Sequence, residues 1–157
     1  MNIKEKKIIK KLIKKKISIS TAESCTGGML ASTITSIPGS SKIFRLGLIT
    51  YSNKSKVNML KISNKTLKKY GAVSKEVCLD MVKKINNLYK TKISISVTGI
   101  AGPGGGTMKK PVGLVYIGIL KGKKILINKF LFKNKGRQYI QKLTVNRSLQ
   151  LISNIIK

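Results

Sequence analysis

The sequence predicts an α/β fold, a three-layer α/β/α sandwich around a mixed β-sheet. Three observations predict it. Segments such as KISISVT (92–98) alternate apolar and polar residues with the two-residue period of a strand. Other segments, many of them lysine-rich, place apolar residues three and four apart, which is the period of a helix. The two kinds interleave along the chain, and two strand patterns near the C-terminus follow each other as a hairpin.

The elements follow in order. Ile8, Ile9, Leu12 and Ile13 fall on one face of an amphipathic helix over 3–16. Ile17 to Thr21 alternates and predicts a short strand. Thr26-Gly27-Gly28 opens a helix running to about Ser36, and Pro38-Gly39-Ser40-Ser41 breaks it. Phe44 to Tyr51 predicts a second strand. Ser52-Asn53 caps a short helix to Leu60, and Ser63 caps another over 65–70. Ser74 opens a longer helix whose apolar positions run from Val77 to Leu88. Lys92 to Thr98 is the next strand, and GIAGPGGGTMKK (99–110) is a glycine-rich loop. Val112–Leu120 and Ile125–Phe132 form a hairpin around Lys121 to Lys124, and a helix over 136–156 closes the chain. The 157 residues are expected to form a single domain, 1–157.

Composition excludes several mechanisms. There is no histidine, so Ser-His-Asp and Cys-His catalysis and histidine zinc sites are impossible within this chain. Cys25 and Cys78 are too few for a four-cysteine metal site or a disulfide framework. The carboxylates are Glu5, Glu23, Glu76 and Asp80, a thin basis for two-metal or paired-carboxylate chemistry. An enzyme built from these residues would take its base from Lys or Tyr, and no metal or cofactor is expected.

The net charge of +29 invites a polyanion-binding reading. All but three of the 33 basic residues are lysine, however, and they spread along almost the whole chain. Lys, Ile and Asn also share AT-rich codons. No aromatic RNA-binding motif, zinc knuckle or helix-turn-helix pattern accompanies the charge, so no dedicated nucleic-acid partner is expected. No apolar run approaches the ~20 residues that span a bilayer. The opening lacks the apolar stretch of a secretory signal, so a cytoplasmic location without a membrane partner is expected.

Three polar clusters stand where strands end. In TAESCTGG (21–28), Ser24 lies between a strand and a helix start, where helix amides favour negative charge. Ser24 or Thr26 would equally serve there as a helix cap, and the local pattern leaves both readings open. Cys25 is expected to be a packing residue, because no imidazole can activate it. In TYSNKSK (50–56), Tyr51 closes a strand and Lys56 follows within the next turn. A lysine is a general base only when burial or neighbouring positive charge strips its proton, and spacing alone does not separate Lys56 from Lys54. In the third cluster, Thr98 and Gly99 lead into a glycine-rich loop whose backbone can approach a phosphate or an oxyanion. It fits neither the Walker A pattern nor the dinucleotide fingerprint. Together the clusters describe a pocket for an anionic small molecule with Ser, Lys and Tyr chemistry.

Taken together, TAESCTGG (21–28), PGSS (38–41), TYSNKSK (50–56), YGAVS (70–74) and TGIAGPGGGTMKKPVG (98–113) resemble the CinA C-terminal domain family in order and spacing. The resemblance implies a three-layer α/β/α fold. For stand-alone members it implies deamidation of nicotinamide mononucleotide to nicotinate mononucleotide and ammonia, a step that recycles the nucleotide toward NAD. It implies Ser24 as nucleophile, with Lys56 and Tyr51 activating it. Ser41, Thr98 and Arg137 match further site residues. For the oxyanion of such a reaction, backbone amides near Gly27-Gly28 or Gly99 are the expected donors. The N-terminal domain that CinA proteins also carry is expected to be absent, and self-association into a homo-oligomer is expected. The chain departs from the family near Arg137. Where the family often has Gly-Asp-Arg and a second Arg four residues on, this chain reads Gly136-Arg137 and Gln141. Two other readings accompany the amidase: a decayed enzyme that binds the nucleotide without turnover, and a basic polyanion-binding protein.

Overall fold

The computed structural model describes residues 3–156. Its elements are α1 (Ile3–Lys14), β1 (Ile19–Glu23), α2 (Met29–Thr35), a single 3-10 turn (Ser40–Lys42), β2 (Phe44–Ile49), α3 (Asn53–Leu60), α4 (Asn64–Tyr70), α5 (Lys75–Leu88), β3 (Ile93–Gly99), β4 (Leu114–Lys121), β5 (Lys124–Leu131) and α6 (Arg137–Ile155). The five strands form one mixed sheet in the order β2-β1-β3-β4-β5. β1 runs parallel to both β2 and β3, whereas β4 and β5 are antiparallel additions. The α/β fold class is as the sequence predicts.

Strand alternation sorts the two faces. On β3, Ile93, Ile95 and Val97 join a core that also takes Ile9 and Leu12 from α1, Leu30 and Ile34 from α2, and Ile140, Leu149 and Ile152 from α6. Ser94 and Ser96 face the other way, under α5. The Ser96 hydroxyl donates to the Cys78 carbonyl at 2.7 Å, and the Asn86 side-chain amide donates to Ser94 Oγ at 2.9 Å. The alternation that would mark a half-solvated strand therefore marks one buried on both faces, its polar face satisfied by hydrogen bonds. On that side α3, α4 and α5 enclose a second cluster around Leu60, Ile62, Leu67, Val77, Met81 and Ile85.

Local caps set the helix starts as expected. Ser52, Ser63 and Ser74 accept from the Ser55, Thr66 and Val77 amides and open α3, α4 and α5. The first strand differs. It begins at Ile19 and runs to Glu23, two residues later than the sequence predicts, because it pairs on both edges: Ile19 lies beside Phe44 and Ile93, and Glu23 beside Ile49 and Val97. The second strand ends at Ile49, two residues before Tyr51. These two shifts place Ser24 directly after β1 and free the Thr50 and Tyr51 carbonyls from the ladder.

Among the described residues, no helix is long and apolar enough to cross a membrane.

Candidate active site

The chain leaves β1 toward β2 on one side and returns to β3 on the other, so the strand order reverses between β1 and β3. Ligands of open α/β sheets bind outside the carboxyl ends of strands at such a switch point. Ser24 follows the end of β1 there, and its amide donates to the Val97 carbonyl of β3 at 3.0 Å. A cavity of about 240 Å³ opens at this place, with Ser24, Lys56, Thr98, Gly99, Tyr51 and Arg137 in its wall.

Lys56 is the fourth residue of α3 and faces inward with Leu60, one turn later, while Lys54 is exposed. It is only 1% exposed. Its Nζ lies 3.0 Å from Ser24 Oγ, 2.7 Å from the Thr50 carbonyl and 3.4 Å from the Tyr51 carbonyl. Burial pushes the Lys56 ammonium down from its ordinary 10.5 to about 8. An uncharged amine has two N–H donors and one lone pair. As an ammonium Lys56 donates to all three oxygens; once it gives up a proton, the two carbonyls keep its two N–H donors and the lone pair faces the Ser24 hydroxyl.

Glu23 resolves the cap question that the sequence leaves open. Its buried carboxylate accepts from Thr26 Oγ1 at 2.6 Å and from the Gly28, Leu30 and Ala31 amides at 3.1, 3.0 and 2.8 Å. The start of α2 is thus satisfied by Glu23, and neither Ser24 nor Thr26 is needed as its cap. The S-x-x-E patterns of helix starts would not have revealed it, because here the acid precedes the turn. Cys25 is buried, and burial pushes its thiol up to about 12, which leaves it protonated beside the serine.

Other expected residues fall in different places. The Gly27 amide donates to the Ser24 carbonyl at 3.0 Å, and the Gly28 amide is held by Glu23. Both amides are occupied within the turn, so the structure does not offer the Gly27-Gly28 pair to a ligand. Gly99 is the better-placed backbone. Thr98 pairs with Tyr116, and the Ile100 amide donates to the Leu114 carbonyl at 2.9 Å, so alternation turns the Gly99 peptide toward the Ser24 side. No side chain fits at this position, because a Cβ would stand 2.7 Å from Val115 Cγ2 and 2.8 Å from the Leu114 carbonyl. Thr98 is buried in the cavity wall and donates to the Ala72 carbonyl at 2.8 Å. Ser41 is not brought to the site. It is exposed in the turn before β2, and in a parallel pair the start of β2 lies beside the start of β1, at the opposite end of the sheet.

Arg137 begins α6 and spans the cavity mouth. It donates to the Gly102 carbonyl at 2.9 Å and to the Tyr51 hydroxyl at 2.6 Å. Tyr51 is 56% exposed, and its hydroxyl makes no hydrogen bond to Ser24 or Lys56; only its carbonyl reaches Lys56. Gln141, one turn further along α6, donates to the Cys25 carbonyl at 2.9 Å. Among the described residues no three His, Cys, Asp or Glu side chains gather to hold a metal ion.

The family profile described as CinA C-terminal domain matches residues 2–156. The chain belongs to that family. Among its relatives, the competence-damage inducible protein of Clostridium botulinum strain Langeland is 48% identical over 146 residues, 93% of this chain. That of Thermoanaerobacter pseudethanolicus is 43% identical over 148 residues, 94% of this chain. The chain spans 36% of the length of each of these two relatives. Among solved structures, the competence/damage inducible protein CihA from Agrobacterium tumefaciens superposes with a TM-score of 0.93 at 33% identity and full coverage of both chains. A CinA superfamily protein from Klebsiella pneumoniae superposes with a TM-score of 0.91 at 26% identity, covering 98% of this chain and 95% of that one. The CinA fold therefore holds over the whole described chain, and the Ser24–Lys56 site lies within the matched region.

Proposed function

We propose that this CinA-family chain is a serine amidase with a lysine base, acting on the carboxamide of nicotinamide mononucleotide. One observation carries the reading: a buried lysine, pushed to about 8, whose nitrogen stands 3.0 Å from a serine hydroxyl in a cavity wall. A solvated lysine near 10.5 would be protonated at neutral pH. At about 8, roughly a tenth of Lys56 is a free base at pH 7.

The steps follow from these groups. Lys56 Nζ takes the Ser24 proton as Oγ forms a bond to the carboxamide carbon. The developing oxyanion takes a hydrogen bond from the Gly99 backbone, and one such donor is typically worth about 3 kcal/mol. The tetrahedral centre collapses, the C–N bond breaks, and Lys56 returns its proton to the departing nitrogen as ammonia leaves. Water then attacks the ester, again giving a proton to Lys56. The acid product leaves as Oγ recovers that proton. Arg137 uses two N–H groups on Tyr51 and Gly102, and its remaining donors serve the anionic part of the nucleotide.

The test is ammonia release from nicotinamide mononucleotide, with free nicotinamide as control. Ser24→Ala should abolish it with the fold intact, and Lys56→Met should do nearly the same. Lys54→Met, on the exposed side of α3, should turn over near the wild-type rate. Near-normal turnover in Ser24→Ala would remove the nucleophile assignment. Nucleotide binding by the wild type with no turnover would favour the decayed enzyme instead.

A further inference from the structure

The first two turns of α6 meet all three parallel strands where they end. Arg137 holds the loop after β2 through Tyr51 and the loop after β3 through Gly102. Gln141, on the same helix face one turn later, holds the turn after β1 through the Cys25 carbonyl. The Ser24 backbone is thus fixed from two directions. Its amide is tied to Val97 of β3 and its carbonyl to the Gly27 amide within the turn, and the carbonyl of the next residue, Cys25, is tied to α6. The Cys25 side chain packs into the core, and Thr26 is bound to Glu23, so the turn has little freedom beyond what Gln141 removes.

From this we infer that Gln141 is a positioning residue for Ser24: it donates to the Cys25 carbonyl, sets the turn, and so holds the serine oxygen against Lys56. The inference rests on the amidase reading above. Gln141 does not line the cavity, so its effect is on alignment and not on nucleotide affinity. Misplacing a reacting atom by about 1 Å can cost a hundredfold in rate.

The experiment uses the full chain with two readouts. One is steady-state deamidation of nicotinamide mononucleotide. The other is the rate of Ser24 modification by phenylmethanesulfonyl fluoride, followed by intact mass, in which an Oγ–S bond forms, the serine proton passes to Lys56 and fluoride leaves. Gln141→Met, similar in shape but without a donor, should lower kcat and the labelling rate together by about tenfold or more, with KM within about twofold. The midpoint of its pH profile should stay in place, because Lys56 keeps its burial. Gln141→Lys, which keeps a donor, should recover most of the loss. Should the methionine variant aggregate, Gln141→Glu, which keeps shape and polarity but carries no donor when ionised, should show the same loss of rate. Wild-type kcat and labelling in a folded Gln141→Met protein would overturn the inference while Ser24→Ala still upholds the amidase. A raised KM with unchanged kcat would also overturn it, by making Gln141 a substrate contact. Wild-type protein inert to both nucleotide and probe would overturn the amidase reading, and this inference with it.

Discussion

The Arg137 guanidinium donates to the Tyr51 hydroxyl at 2.6 Å, and its carbon lies 6.0 Å from the centre of the Tyr51 ring. The hydroxyl is engaged at the cavity mouth, while the main chain of the same residue supports Lys56 within the wall. Tyr51→Phe removes the first contact and leaves the second. Its kcat should stay within about tenfold of wild type, with the larger change in KM. A loss of kcat as deep as that of Ser24→Ala would place the hydroxyl in the proton path.

The pH dependence of turnover follows from Lys56. In the proposed mechanism its free base is the active form, so kcat/KM should rise about tenfold per unit below pH 8 and level off above it. The rise comes from a buried amine and not from imidazole, which the chain lacks. A rate profile already level between about pH 6 and pH 9 would remove Lys56 as the base.

Stability should carry the same signature with a defined sign. In the unfolded chain Lys56 holds its proton up to about 10.5, whereas in the folded chain it gives it up near 8. Between these values the unfolded state binds more protons, so the contribution of Lys56 to stability rises with pH and is flat below about 8. The other lysines cancel when wild type is compared with Lys56→Met. The difference in unfolding free energy between the two should shift in favour of wild type by on the order of 3 kcal/mol from about pH 7 to about pH 10.5. Urea titrations at several pH values measure it, and a difference independent of pH would show that Lys56 titrates alike in both states.

Glu23 is the structural counterpart of the proposed catalytic pair, Ser24 and Lys56. Its carboxylate accepts four hydrogen bonds, three of them from amides at the start of α2. Glu23→Ala strands those donors and opens the turn that carries Ser24. Unfolding free energy should fall by on the order of 3 kcal/mol, and activity should fall with it. A urea midpoint unchanged from wild type would mean that water replaces the carboxylate at no cost.

What the sequence alone determined is local. The serine caps at 52, 63 and 74 bond to amides three residues on, so their geometry is set within one turn. The alternation of 92–98 fixed a strand, and the glycine-rich run after it fixed a loop, because both depend on backbone and side-chain period alone. Spacing alone did not separate Lys56 from Lys54; the packing of α3, which buries Lys56 with Leu60 and leaves Lys54 exposed, did. The lowered pKa of Lys56 was not legible either, because it depends on burial by residues distant in the chain. The tertiary structure alone decided the rest. Pairing on both edges moved β1 two residues and made Glu23 the cap for α2. Parallel pairing carried Ser41 to the far end of the sheet. Folding brought Lys56 to a serine 32 positions earlier, and Gln141 to a carbonyl 116 positions earlier. A proton affinity and a long-range contact are properties of the packed surroundings, and a local pattern of residues carries no record of them.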